Sequence, residues 1–146
     1  PSNGKFSAEQ KAIYEIVLKA QDEAMAAIKA GLPFGEINKI SQRVINEGLV
    51  ELGIIKRGQR HRYFPHGTSH YLGLDVHDLG TRTAPITAGM VFTIEPGIYI
   101  KEEGMGVRIE NNFWITKTGN QDLMKNIPIK AEEIEALMRK VKSSKK

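Results

Sequence analysis

A chain of 146 residues and 16.3 kDa is one domain's worth of polypeptide, and 40% apolar with 26% charged residues at a mean hydropathy of -0.33 excludes a disordered or fibrous composition. Zero cysteines exclude disulfide staples, a thiol nucleophile and any cysteine-ligated zinc or iron–sulfur centre, so a metal here has to sit on nitrogen and oxygen. Much of the formal charge of +4 lies in Arg139, Lys140, Lys142, Lys145 and Lys146, a solvated tail rather than a nucleic-acid surface.

No apolar run reaches the roughly 18 residues of a membrane span, and the opening PSNGKF lacks the pattern of a signal peptide, so a cytoplasmic setting with no membrane and no nucleic-acid partner is expected. Ser7 and Gln10 form a capping-box pair, and Ile13, Ile16, Val17, Ala20, Ala24, Ala27 and Ile28 recur at helical spacing, which predicts a first helix ended by Gly31 and Pro33. A second amphipathic helix is predicted from Gly35 to Leu52, stopped by Gly53. After Arg57 glycine, proline and histidine become dense, and Tyr63 to His70 reads as loop leading into strand.

Met90 to Glu95 and Val107 to Thr116 alternate as strands, punctuated by Pro96-Gly97 and Glu103-Gly104, and Ala131 to Val141 predicts a closing helix. Helix, helix, strands, helix without βαβ alternation is the order of an α+β domain with a largely antiparallel sheet.

His66, His70 and His77 fall close together in a segment that also holds Asp75 and Asp78, without the helical His-Glu-x-x-His zinc pattern. Glu95 closes an apolar strand just before Pro96-Gly97, and a carboxylate buried there needs a cationic partner. Glu110 repeats the situation, two residues from Arg108 and hence on the same strand face; taken singly, the pair reads as a surface ion pair of little energetic worth. Taken together, an imidazole and two carboxylates from separate strands make the nitrogen and oxygen donor set of a divalent ion such as manganese, cobalt or zinc.

Three ordered motifs, His66-Gly-Thr-Ser-His70-Tyr-Leu-Gly-Leu-Asp-Val-His77-Asp78, Met90-Val-Phe-Thr-Ile-Glu95-Pro-Gly-Ile-Tyr99 and Gly106-Val-Arg-Ile-Glu110-Asn-Asn, resemble the pita-bread metallopeptidases. Within that group they look most like aminopeptidase P, the Xaa-Pro aminopeptidases, with prolidase close behind. The likeness extends from Asn3-Gly-Lys-Phe-Ser7 to Thr118-Gly-Asn-Gln-Asp-Leu123.

The resemblance implies a pita-bread fold, metal ligands at His70, Glu95 and Glu110 with Glu110 bridging two ions, and Glu95 also serving as proton acceptor. It implies that His66 and His77 hold the scissile carbonyl and its tetrahedral intermediate, with Tyr99 and Arg108 as supporting substrate-site residues. It further implies a peptide substrate with proline at its second position, two divalent ions, manganese first among the candidates, and a metal-bound hydroxide nucleophile. Asn111-Asn112 depart from the acidic residues common in relatives at this point, which weakens support around the ligands.

The two further aspartate ligands of the family have no match among Asp22, Asp75, Asp78 and Asp122. Two divalent ions carry four positive charges, whereas Glu95 and Glu110 supply two negative ones, so one ion or none is expected on this chain. The chain thus reads as the C-terminal portion (1–146) of a catalytic domain lacking the upstream aspartate-bearing strands. By itself it is expected to be inactive, and its uncovered sheet edges are expected to favour homo-oligomers. A prolidase-type dipeptidase, a methionine aminopeptidase and a metal-free binding module are the competing readings.

Overall fold

The computed structural model describes residues 1–59 and 61–143, so Lys145 and Lys146 of the basic tail lie outside the described residues, while Arg139 and Lys140 are exposed. Its elements are α1 (Ala8–Ala27), α2 (Gly35–Glu51), β1 (Val91–Ile94), β2 (Gly97–Ile100), a 3-10 turn (Lys101–Glu103), β3 (Met105–Arg108), β4 (Asn111–Ile115), β5 (Asn120–Asp122) and α3 (Ala131–Ser143). Every strand pair among them is antiparallel, as the α+β reading expects.

The capping box forms: Ser7 Oγ accepts the Gln10 N–H at 3.1 Å and Gln10 Oε1 accepts the Ser7 N–H at 3.0 Å, which satisfies two of the donors a helix start leaves open. α1 stops earlier than Gly31, because Ile28 is already extended and its C-terminal carbonyls are taken by the Asn120 amide, at 3.0 Å from Met25 O and 3.2 Å from Ile28 O. α2 lies tightly on α1 at Gly48, where a Cβ would stand 2.7 Å from Ile16 Cγ1; glycine lets the two helices approach. α3 packs on α1 through Ile134 and Ala131, with the Tyr14 hydroxyl donating to Ile129 O at 2.5 Å and Lys11 paired with Glu132.

The strands correct one expectation. Val107 to Thr116 is not one strand but two, β3 and β4, which belong to different sheets: β1-β4-β5 and β2-β3. The partner segment breaks likewise, at Glu95-Pro96 between β1 and β2. Ile94 stands opposite Asn111 in the first sheet and Gly97 opposite Arg108 in the second, and both pairings fall on a single register that sets Pro96 against Ile109 and Glu95 against Glu110. The four strands are therefore one long hairpin bent in the middle. Proline has no N–H, so the ladder loses a bond at the bend.

The stretch before β1 also differs from expectation. Residues 68–72 form no named strand, yet they run antiparallel along the edge of β1: Thr93 N–H donates to His70 O at 3.0 Å, Glu95 N–H to Thr68 O at 2.7 Å and Leu72 N–H to Val91 O at 3.1 Å.

Two apolar clusters flank the bend. Val17, Val44, Leu49, Ile98 and Ile109 make one beneath the two-stranded sheet, and Ala24, Phe34, Ile37, Phe92 and Phe113 make the other beneath the three-stranded sheet. Phe92 and Phe113 are cross-strand partners with no exposed surface, each contributing about 1.5–3 kcal/mol by burial. Among the described residues no helix is long and apolar enough to cross a membrane.

Candidate metal centre

The bend dictates where the acidic side chains go. Ile109 N–H donates to Pro96 O at 3.4 Å, which makes that pair a hydrogen-bonded position and the neighbouring Glu95/Glu110 pair a non-hydrogen-bonded one. Such positions bring facing side chains closest, with Cα atoms about 4.5 Å apart in a regular sheet. Two like charges opposite each other destabilise a sheet unless something positive lies between them. On the other edge of β1, His70 faces Thr93 and so lies diagonally across from Glu95.

His70, Glu95 and Glu110 each offer one ligand atom, and the three atoms lie within 4.8 Å of one another. His70 Nε2 is 3.4 Å from Glu95 Oε1 and 4.0 Å from Glu110 Oε1. The other ring nitrogen, Nδ1, lies 3.0 Å from Tyr71 O. A carbonyl only accepts, so Nδ1 carries a hydrogen, and in the neutral ring that leaves the Nε2 lone pair as the donor facing two carboxylates. Three converging lone-pair donors of this kind fit a divalent cation. The donors differ in access: the side chains of His70 and Glu95 are each 13% exposed, and that of Glu110 is 39% exposed.

Arg108 turns to Glu95, with Nε 3.9 Å from Oε2, and among the described residues it makes no ion pair with Glu110. The surface pair of the sequence reading thus gives way to a contact with the more buried carboxylate. Asn111 lies on the opposite face from Glu110 and donates to Asp122 Oδ2 at 2.8 Å, so it ties β4 to β5 and stays away from the ligands.

His66 Nδ1 donates to Gly67 O at 2.9 Å, and its Nε2 accepts the Tyr99 hydroxyl at 2.9 Å. His77 is exposed and sets its ring edge-on to His70, with centroids 4.3 Å apart. A cavity of about 550 Å³ gathers His66, His70, His77, Glu95 and Arg108, together with Phe34 and Arg82, which the sequence reading did not single out. A larger groove of about 720 Å³, between α2 and residues 55–64, shares no lining residue with it and holds none of the three donors.

The scaffold behind the donors also escaped the sequence reading. Asn38 Oδ1 on α2 accepts both the Thr68 N–H at 3.2 Å and the Thr68 hydroxyl at 3.1 Å, which anchors the backbone between His66 and His70. Gln21, buried at 3% exposure, reaches the bend itself. Its only sequence signal is a polar residue inside the apolar stripe Val17, Ala20, Ala24 of α1.

Residues 2–117 match the model of metallopeptidase family M24. The chain is 41% identical over 158 residues to the Xaa-Pro aminopeptidase of Escherichia coli K12, covering 94% of this chain and 36% of that protein. It is 42% identical to the Xaa-Pro aminopeptidase of Haemophilus influenzae, covering 94% and 37% respectively. The fold superposes on zinc-substituted Escherichia coli aminopeptidase P in complex with product at a TM-score of 0.89 and 41% identity, over 94% of this chain and 36% of that one. The chain spans about a third of the length of these relatives.

Proposed function

The chain belongs to metallopeptidase family M24, and from that premise we propose that it supplies part of a metal-dependent aminopeptidase site that releases the N-terminal residue from Xaa-Pro peptides. The observation that carries this reading is the convergence of His70 Nε2, Glu95 and Glu110 within 4.8 Å, with His70 and Glu95 on the wall of a cavity large enough for a peptide end.

His70, Glu95 and Glu110 are the residues that would hold the metal. When bound, divalent ions polarise a peptide carbonyl and acidify water; manganese is the first candidate, with cobalt and zinc suited to the same donors. Two carboxylates balance one divalent ion, so a second ion requires two more acidic ligands.

Glu95 accepts the proton of the attacking water at its carboxylate and passes it to the proline nitrogen, which as a tertiary amide leaves only once protonated. Its contact with Arg108 keeps the carboxylate aimed. His77 lines the cavity and donates toward the carbonyl oxygen as it becomes anionic, and His66, whose Nδ1–H is held by Gly67 O, lines the cavity beside it and helps hold the substrate. The Tyr99 hydroxyl fixes the His66 ring.

The test is hydrolysis of Xaa-Pro peptides with added manganese by the protein at its full natural length. Turnover is expected, and EDTA and Glu95→Gln are each expected to abolish it. Turnover that survives both would sink the proposal. The 146-residue chain alone is expected to show little turnover. Offering Xaa-Pro dipeptides beside longer peptides separates prolidase-type from aminopeptidase P-type use of the cavity.

A further inference from the structure

Gln21 sits where the two apolar clusters meet, one helical turn from Val17 on one side and Ala24 on the other. Its amide Nε2 donates to Ile94 O at 2.9 Å and to Ile109 O at 3.3 Å. These are the carbonyls directly before Glu95 and Glu110. In an intact ladder residue 96 would return a hydrogen bond to Ile109 O, but Pro96 has no N–H to give. The side-chain amide brings two N–H groups in one rigid plane, one for each strand.

We propose that Gln21 is a positioning residue for the metal-binding carboxylates: its forked amide replaces the donor that Pro96 lacks and fixes the spacing of the two strands at the point where Glu95 faces Glu110. This rests on the metal-binding reading above. A buried amide that satisfies two strand carbonyls holds the backbone of both ligands without touching the cation. Partners hydrogen-bonded directly to a ligand are worth about 10- to 100-fold in metal affinity, and a residue that holds the ligands' backbone is expected at the lower end of that range.

The test measures manganese affinity by titration calorimetry on the protein at its full natural length, below the unfolding temperature of every variant. Gln21→Met keeps the shape and removes both donors; it is expected to weaken manganese binding at least tenfold, and Gln21→Asn, one methylene shorter, serves the same comparison if the methionine variant does not fold. Val17→Ala, which empties a neighbouring buried position on α1, is expected to lower thermal stability and leave affinity within twofold. Pro96→Ala returns an N–H to the bend, so Gln21→Met is expected to cost less affinity in that background than alone.

Wild-type affinity in both Gln21 variants, an equal loss in Val17→Ala, or strictly additive losses in the Gln21/Pro96 pair would each overturn the proposal. Failure of the metal reading is distinguishable: the wild-type protein would not bind manganese, or Glu95→Gln would bind it unchanged.

Discussion

Replacing Glu110 by glutamine separates the cost of facing two carboxylates across the bend from the gain of placing a cation between them. With donor atoms within 4.8 Å, two unit charges repel by about 3.5 kcal/mol at an effective dielectric constant of about 20. The Glu110 side chain is 39% exposed, so water and salt reduce that to about 1 kcal/mol. In a chain of this size 1 kcal/mol moves the melting temperature by about 3 °C. In EDTA, Glu110→Gln is therefore expected to melt about 3 °C above the wild type. Manganese at a hundredfold excess over its dissociation constant stabilises the wild type by about 2.7 kcal/mol, or about 8 °C, and the variant by much less.

The order of the two melting curves should thus reverse when EDTA is replaced by manganese at pH 8, which differential scanning fluorimetry reads directly. A variant that melts below the wild type in EDTA, or that gains as much from manganese, would refute the claim that these side chains face each other for the sake of a cation.

Two smaller predictions concern Tyr99, which bonds His66 at the site, and His61, which lines the larger groove. Tyr99→Phe removes the hydroxyl that bonds His66 Nε2 and is expected to lower kcat/KM about 5- to 10-fold, the worth of one hydrogen bond, with the manganese dissociation constant unchanged because His66 is not one of the three converging donors. Burial holds the His61 imidazole below its ordinary pKa, so the folded state favours the neutral ring; its contribution to stability is in place above the unfolded pKa of about 6.5 and is lost as pH falls through the folded value. Between pH 7.5 and 5.5 the melting temperature of His61→Gln should accordingly fall less than that of the wild type, and an equal or steeper fall would contradict this account.

Local chemistry made much of the fold legible. The Ser7/Gln10 box, the apolar stripes of α1 and α2 and the alternation around Phe92 and Phe113 are written in neighbouring residues, and the structure follows them to within a few positions. The division of residues 107–116 between two sheets was not legible, because it depends on what lies opposite: Pro96 withdraws a donor from Ile109, thirteen residues further along the chain. Side-chain support was hidden for a similar reason. Gln21 in an apolar stripe looks like a flaw in the helix pattern until the Ile94 and Ile109 carbonyls are seen beside it. Asn38 likewise looks like an ordinary helix surface residue until Thr68 is brought to it.

The bent hairpin also governs where this molecule can tolerate a change in length. The turn at Lys101–Glu103 lies four residue pairs beyond the bend, so residues added or removed there can be absorbed at the tip while Glu95 and Glu110 keep facing each other. A single residue inserted between Ile94 and Gly97, or between Arg108 and Asn111, has no such outlet. It would turn one carboxylate to the far side of the sheet and dismantle the donor set without altering any of its members. Evolutionary drift in this hairpin is thereby channelled outward, to its tip.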